Sequence, residues 1–312
     1  MTREGLVTKS VVSELHSTEV ATRSQPRIGL ALGGGGARGL AHLVALEVLE
    51  EMGLPPTKIA GTSIGAIFGA GAAAGLSARY MRAHVEELLS ERYALIRQLF
   101  LARPRPVDRL FNLFPMRAAL LDAEALLELL LPSRVPATIE ELRVPMSIVA
   151  TDFYAQEAVV ITTGPLKRAI AASIALPVIF SPVQIDGRTL LDGGLVDPLP
   201  FELVKDDVDL TIAVDVSGAP RQPGDNSGPR AFEALFSASQ ILQKSIIREK
   251  LRSHRPDILV DAACAGVGVL DFHRYREILA AAEPCRDALK RQLERVLSAE
   301  TLYVSDSSAP VD

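Results

Sequence analysis

A serine stands at the centre of the sequence GTSIG at positions 61–65, which follows the pattern Gly-x-Ser-x-Gly. The apolar run before it predicts a short strand, and the small residues after it predict a helix. Between a strand and a helix, this pattern is typical of a nucleophile elbow, a sharp turn that exposes the serine to an acyl substrate. The alternative is structural: Ser63 occupies the N-cap of the helix, and its side chain accepts backbone N–H groups.

A run of four glycines, at positions 33–36, follows the predicted strand RIGLAL. Such a loop can direct backbone N–H groups at an anion. One candidate anion is the oxyanion that develops during acyl transfer. The other is the pyrophosphate of a dinucleotide, because Gly34-x-Gly36-x-x-Gly39 matches the dinucleotide-binding pattern. The second hypothesis also needs an acidic ribose partner about 20 residues further on, which the sequence supplies only weakly.

A serine becomes a good nucleophile only when a base takes its proton. Among the histidines, only His254 and His273 follow Ser63 in the order of a hydrolase triad, and neither lies on an obvious loop after a strand. We therefore interpret both as solvated or core histidines.

The other candidate base is a carboxylate in the stretch QIDGRTLLDGG at 184–194. Asp186-Gly187 predicts a hairpin turn, and Asp192 follows where the second strand ends in two glycines. From spacing alone, a turn-forming aspartate is the favoured interpretation. Asp192 becomes a candidate base because Ser63 has no clear histidine.

Taken in order, the three motifs resemble those of the patatin-like phospholipases, serine acyl hydrolases that use a Ser-Asp dyad. The resemblance covers about residues 27–215, and the third motif ends in glycine where plant members have alanine. It implies that Ser63 is the nucleophile, that Asp192 is the base and that the substrate is a lipid or another acyl ester. No cofactor, metal or calcium-binding signature is expected.

The same resemblance assigns the glycine loop to the oxyanion hole, with an arginine that supports the loop. These residues are Gly34, Gly35, Gly36 and Arg38. The other motif positions are Gly39, Gly61, Gly65, Gly193 and Gly194. Two other classes of function stay open: a dinucleotide-binding oxidoreductase, and a non-catalytic membrane-associated regulator. The intact Ser63 and Asp192 argue against the regulator.

The elements that would position these residues alternate between strands and helices. Buried strands are predicted at 27–32, 144–153 and 208–217, and an amphipathic helix at 38–53. This alternation predicts an α/β fold whose mainly parallel central sheet is covered by helices on both faces. The resemblance specifies a three-layer α/β/α sandwich of the patatin type.

We expect one hydrolase domain over residues 26–300, with a mobile N-terminal arm at 1–25 and a disordered tail at 301–312. Residues 218–230 are rich in Pro, Gly and polar side chains, which predicts a flexible loop. Residues 95–136 mix arginines with large apolar side chains, which fits a cap over an apolar pocket or a packed helical pair.

Within that segment, residues 95–115 are expected to border the acyl-chain entrance and to contact lipid surfaces through Leu99, Phe100, Phe111 and Phe114. Peripheral membrane contact is therefore part of the prediction. Packing of the same side chains over the sheet is the equal alternative.

Composition limits the remaining classes. The 312 residues are 48% hydrophobic and carry a net charge of −5, which predicts a substantial core and disfavours nucleic acid as a partner. Cys264 and Cys285 lack the spacing of a zinc or redox site and are expected to be reduced. The uncharged stretch 59–78 is dominated by Gly and Ala, so we expect a buried helix there rather than a membrane span. The N-terminus lacks a signal-peptide pattern, so the cytoplasm is the default compartment; the oligomeric state is not predicted.

Overall fold

Strands and helices alternate along the described part of the chain, which in this computed structural model comprises residues 25–91, 121–218, 231–262 and 264–306. The strands are β1 (Ile28–Leu32), β2 (Pro56–Thr62), β3 (Met146–Asp152), β4 (Glu157–Ile161), β5 (Val183–Ile185), β6 (Arg188–Asp192), β7 (Leu210–Asp215) and β8 (Ile258–Asp261). The α-helices are α1 (His42–Glu51), α2 (Ile64–Ala73), α3 (Ala78–Glu91), α4 (Ala123–Leu130), α5 (Leu166–Ser173), α6 (Ala231–Ser253), α7 (Tyr275–Ala282) and α8 (Pro284–Asp306).

The strands form one sheet in the order β5-β6-β3-β2-β1-β7-β8, and β4 pairs with β3. The five strands β3, β2, β1, β7 and β8 are parallel. The antiparallel pairs involve β4, β5 and β6. The central strands β1 and β7 are buried along their whole length, as expected for parallel strands covered on both faces. The predicted α/β fold with a mainly parallel sheet is confirmed.

Apolar side chains lie on both faces of the sheet. Along β1, Leu30 and Leu32 belong to a large core cluster, whereas Ala31 between them belongs to a smaller one, because successive strand residues point to opposite faces. The large cluster includes side chains of α1, α2, α5 and α7. The smaller cluster includes Ile247 of α6. Helices therefore cover the sheet on both sides, as the three-layer prediction requires.

Strand β3 brings two distant parts of the chain together. Its first half pairs with β2, up to the pair Thr62–Val149. Its second half pairs with β6, beginning at the pair Ala150–Asp192. Consecutive residues of β3 thus hold the end of β2 beside the end of β6. Ser63, which follows β2, and Asp192 become neighbours although 129 positions separate them.

An ion-pair network attaches the C-terminal helix to the front of the chain. Arg286 of α8 pairs with Glu47 and Glu51 of α1 and with Glu283. Glu47 also pairs with Arg82 of α3. The side chains of Arg286 and Glu47 are 18% and 14% exposed, whereas those of Glu51 and Glu283 are about half exposed, so only the Arg286–Glu47 pair is largely shielded from water.

The structure gives the bounds of several predicted helices and turns. The helix predicted from residue 38 begins as a 3₁₀ turn over Gly36–Ala41 and becomes α-helical at His42. Helix α8 extends to Asp306. The predicted hairpin is confirmed, with positive φ angles of 49° at Asp186 and 76° at Gly187.

Three predicted segments fall wholly or largely outside the described residues. They are the N-terminal arm, the lipid-contacting segment at 95–115 and the loop at 218–230. Residues 59–78 contain the end of β2, helix α2 and the start of α3. Among the described helices, none combines the length and the apolar character needed to cross a bilayer. Cys264 and Cys285 are both free thiols, as expected.

Candidate active site

Ser63 lies on a tight turn between β2 and α2. Its φ of 54° and ψ of −123° fall in a region that residues other than glycine rarely adopt. The tight turn is possible because glycines lie two positions before and two positions after Ser63. A Cβ on Gly65, for example, would lie 2.1 Å from the carbonyl oxygen of Leu32. The strained turn is fixed by Ser173 of α5, whose Oγ accepts the N–H of Ser63 at 2.8 Å and donates to the carbonyl of Val149 at 2.6 Å. The predicted strand-turn-helix setting is therefore present.

The hydroxyl of Ser63 donates to Oδ2 of Asp192 over 2.7 Å. Ser63 occupies the N-cap position of α2, but its side chain makes no capping hydrogen bond, so the expected capping contact is absent. The other carboxylate oxygen, Oδ1, accepts the N–H of Gly194 at 2.7 Å. Asp192 therefore stabilises its own turn with one oxygen and contacts the serine with the other.

Burial sets the base strength of Asp192, which is only 4% exposed. Removal from water raises the pKa of its carboxyl from 3.8 to about 6, while the hydrogen bonds from Ser63 and Gly194 lower the pKa in part. The main-chain carbonyl of Asp192 accepts the hydroxyl of Thr151 at 2.8 Å, which fixes the residue on β3. The carboxylate is thus ionised at neutral pH and is a stronger base than an exposed aspartate.

The described histidines lie elsewhere. His42 is fully buried beneath the glycine loop, where its Nε2 contacts the carbonyl oxygen of Gly33 at 2.9 Å and burial lowers its pKa to about 4. His84 contacts the carbonyl oxygen of Leu130. His254 and His273 are exposed. None of these four is among the hydrogen-bond partners of Ser63 in the described part of the chain.

Two backbone donors of the glycine loop, in the cavity that Ser63 lines, are unpaired in the described part of the chain. The N–H of Gly34 donates to the carbonyl of Pro198 at 2.9 Å, and that of Ala37 donates to the carbonyl of Val269 at 2.7 Å. The amides of Gly35 and Gly36 have no acceptor among the described residues, and both glycines line the same cavity as Ser63.

The assignment of Gly34 as an oxyanion donor is therefore corrected, since its amide is already occupied. Gly34 lies next to Ser63, because a Cβ there would be 3.4 Å from Cβ of Ser63, about van der Waals contact. Gly36 has a φ of 58°, and a Cβ there would lie 2.3 Å from the carbonyl oxygen of Val269.

Arg38 lies beneath the loop and is 1% exposed. Its Nε donates to the carbonyl of Gly35 at 3.3 Å, so it orients the peptide that precedes Gly36. Burial lowers the pKa of the guanidinium, and the nearby carboxylate of Asp215 opposes this. Its Nη1 has no partner in the described part of the chain. The predicted supporting contact is present.

The dyad opens into a cavity of about 1030 Å³, its mouth included. One wall is polar and comes from α6, through Ser239, Gln240 and Gln243. Most of the other lining side chains are apolar; they include Ile64, Ile67, Leu89, Leu126, Leu130, Ile174, Leu176 and Phe180. Such a site can accept a molecule that has a polar end and a hydrocarbon end.

Comparison with known proteins identifies the family. The family model described as Patatin-like phospholipase matches residues 30–205, more than half of the chain. The chain therefore belongs to the patatin-like phospholipase family, as its three motifs predict.

Curated relatives are matched over part of their length. An uncharacterised NTE family protein of Mycobacterium tuberculosis is 39% identical over 228 residues, which cover 69% of this chain and 59% of the relative. Human patatin-like phospholipase domain-containing protein 6 is 32% identical over 194 residues, which cover 61% of this chain and 13% of that protein. The match to VipD from Legionella pneumophila, a solved structure, has a TM-score of 0.49 at 16% identity and covers 87% of this chain and 67% of that one.

Sequence reasoning missed two parts of the site. Ser173 gave no signal, because one serine in an apolar helix is compatible with many roles. The polar wall of α6 could have been suspected, since Ser239, Gln240 and Gln243 recur on one side of a helix. The sequence did not indicate that this side faces Ser63.

Proposed function

We propose that this protein is a serine acyl hydrolase that cleaves ester bonds of phospholipids, lysophospholipids or related acyl esters through a Ser63–Asp192 dyad. The observation that carries the proposal is the 2.7 Å hydrogen bond between Ser63 Oγ and Asp192 Oδ2 in a largely apolar cavity. Among the described residues, the amides of Gly35 and Gly36 in the same cavity have no acceptor. Membership of the patatin-like phospholipase family supports hydrolysis of lipid esters.

The proposed reaction has two halves. Ser63 Oγ attacks the ester carbonyl carbon while Asp192 takes the hydroxyl proton, and the carbonyl oxygen becomes an oxyanion that accepts the N–H groups of Gly35 and Gly36. The C–O bond to the alcohol then breaks, and Asp192 returns the proton to the leaving oxygen. Water attacks the acyl-serine in the same way, with Asp192 again as base, and releases the acid. Each oxyanion donor typically lowers such a barrier by about 3 kcal/mol.

Contact with a lipid surface is part of the same proposal. Ile241 and Leu242 of α6 are 61% and 64% exposed, although the adjacent Gln240 and Gln243 line the cavity. Exposed apolar side chains on a helix that borders a lipid-binding cavity suit peripheral binding to a membrane. Residues 95–115 are proposed as a second contact from their mixed basic and apolar sequence.

The test is covalent labelling by a fluorophosphonate, which reacts with activated serines. Wild-type protein should be labelled at Ser63, and Ser63→Ala should stay folded and unlabelled. Ser245→Ala, which changes a serine on the solvent side of α6, is the matched control and should label like wild type. Full labelling of Ser63→Ala would contradict the assignment. A panel of short esters, lysophospholipids and phospholipids, run on wild type and Ser63→Ala, then defines the substrate class.

A further inference from the structure

A second cavity, of about 670 Å³, adjoins the first. Five side chains line both cavities, so the two share a wall: Ile64, Ile67, Leu89, Leu130 and Phe272. Along α2 the first cavity contacts Ile64 and Ile67, and the second continues to Phe68 and Gly71. The second cavity therefore extends away from Ser63 along the helix that Ser63 precedes.

The lining of the second cavity suits hydrocarbon. Its described side chains are almost all apolar, and His84 is the one titratable group among them. The Nε2 of His84 is already paired with the carbonyl of Leu130 at 2.9 Å, and its ring stacks on Tyr80. A polar head group would find no partner there, whereas the α6 wall of the first cavity offers amide and hydroxyl groups.

We propose that the second cavity receives the distal part of an acyl chain whose ester carbonyl lies at Ser63, so that the site selects long-chain acyl esters. The leaving alcohol then faces α6. This inference rests on the proposed function. At a rise of about 1.5 Å per residue, Gly71 lies roughly 12 Å along α2 from Ser63, so short acyl chains end before the far part of the second cavity. Each methylene that enters it should strengthen binding about fourfold.

The test fills the second cavity without touching the first. Val85 of α3 and Val135 line only the second cavity, and each is changed separately to phenylalanine. The kcat/KM for p-nitrophenyl palmitate should fall by about tenfold or more, the effect of excluding about two methylenes. The kcat/KM for p-nitrophenyl butyrate, measured in the same detergent, should be unchanged. Val160→Phe on the exposed surface of β4 is the matched control.

Two variants at different places are used, so that a folding defect in one of them does not decide the result. Hydrolysis of the butyrate ester reports whether the dyad is intact. An unchanged palmitate rate in both filled variants, or equal losses on the two esters, would overturn the chain-length assignment while leaving the proposed function standing. Hydrolysis that persists in Ser63→Ala would instead overturn the proposed function and this inference with it.

A separate observation concerns Lys250 of α6. Its Nζ contacts Oδ1 of Asp197 at 2.5 Å, Oε2 of Glu202 at 2.6 Å and the carbonyl oxygen of Leu199 at 2.9 Å. It also lies 4.9 Å from the centre of the Phe201 ring. The side chains of Lys250 and Asp197 are 19% and 18% exposed. One ammonium group thus holds most of the segment 197–202.

That segment contacts all three catalytic motifs. The carbonyl of Pro198 accepts the N–H of Gly34 at 2.9 Å. The carbonyl of Asp197 accepts the hydroxyl of Thr62 at 2.8 Å, and its N–H donates to the carbonyl of Gly193 at 2.9 Å. Any shift of the segment moves the glycine loop, the elbow and the turn after Asp192 together.

We infer that Lys250 is a positioning residue for the proposed reaction, acting through residues 197–199 on the relative placement of nucleophile, base and oxyanion loop. Because small misplacements are costly, Lys250→Met should lower kcat on a short ester by about tenfold to a hundredfold. KM should stay within twofold, since neither Lys250 nor residues 197–202 line the cavity. The rate of Ser63 labelling by a small fluorophosphonate should fall in parallel with kcat.

Lys250→Arg keeps the charge and should recover most of kcat. Arg252→Met is the matched control, because Arg252 lies two positions away on the same helix and pairs only with an exposed glutamate among the described residues. All assays are run well below the unfolding midpoint of each variant, and Glu202→Gln serves as a milder second variant, with a smaller fall in kcat. An unchanged kcat in folded Lys250→Met, or a loss confined to KM, would overturn the positioning role.

Discussion

Replacing Asp192 by asparagine should remove most of the activity and at the same time stabilise the fold. The carboxylate lies in a buried position where, among the described residues, two hydrogen bonds compensate its charge. Asparagine has nearly the same shape, and its side-chain oxygen can still accept the N–H of Gly194. The variant therefore keeps the turn, loses the proton acceptor and no longer buries a charge.

The size of the stabilisation follows from the pKa of Asp192. Raising that pKa from 3.8 to about 6 in the folded state corresponds to about 3 kcal/mol, at 1.36 kcal/mol per pKa unit. Below pH 3.8 the carboxyl is protonated in both states, so the cost is absent. It develops between pH 3.8 and about 6, where only the unfolded chain releases the proton, and it is present in full above about 6. Asp192→Asn should therefore exceed wild type in unfolding free energy by up to about 3 kcal/mol above that pH.

The assay pairs denaturant unfolding with kinetics across this pH range. The difference in unfolding free energy between Asp192→Asn and wild type should vanish below pH 3.8 and grow to its full value above about 6. On a short soluble ester, kcat should fall by about 10²- to 10⁴-fold in the variant, as is typical when a general base is lost. In wild type, kcat/KM should rise as pH increases through about 6, because only the ionised carboxylate accepts the proton.

A stability difference that is independent of pH would refute the claim that burial raises the pKa of Asp192. His254→Ala and His273→Ala test the dyad itself and should retain activity within a few-fold of wild type. If either lost activity to the level of Ser63→Ala while staying folded, a histidine would be the base, and Asp192 would only orient it.

Three further outcomes are expected. Ser173→Ala removes the acceptor of the Ser63 N–H, so it should lower the unfolding free energy by about 1–3 kcal/mol in urea titrations. Its kcat should also fall, because the strained turn relaxes. An unchanged kcat would exclude a role for that contact. Replacing Phe100 and Phe111 by serine should weaken binding to phospholipid vesicles more than hydrolysis of a short ester, whereas equal losses would favour packing over the sheet. Arg286→Met breaks the ion-pair network of α8 and should lower the unfolding free energy by about 1–3 kcal/mol. Its kcat should be unchanged at temperatures well below the unfolding midpoint. No loss of stability would show that the network contributes little.

The fold and the candidate residues Ser63 and Asp192 could be predicted from the sequence, because local sequence patterns mark the strands, the elbow and the turn after β6. Continuous apolar runs predict buried parallel strands, and the elbow motif falls between a strand and a small-residue helix in both sequence and structure. By contrast, the contact between Ser63 and Asp192 depends on the register of β3 with two other strands. The sequence carries no local trace of that register, so only the resemblance to a family joined the two residues beforehand.

The same reasoning explains the error at Gly34. A run of glycines predicts that backbone donors are accessible, but it does not indicate which of them the protein itself will occupy. The carbonyl of Pro198, which takes the Gly34 amide, comes from a segment more than 160 positions further on. The contacts of Lys250 were not predicted either. A lysine on a charged helix is most often solvated, and the sequence does not indicate its distant partners.

One edge of β3 pairs with two strands, β2 along its first half and β6 along its second half. This arrangement also affects how the protein folds. A slip of one residue turns every side chain of a strand to the opposite face, so an error in either the β2–β3 or the β3–β6 pairing separates the hydroxyl from the carboxylate. Both pairings join distant parts of the chain, and such contacts form slowly. Recovery of fluorophosphonate labelling during refolding should therefore lag behind the recovery of helical circular dichroism, and labelling of Ser63 would then report correct strand register.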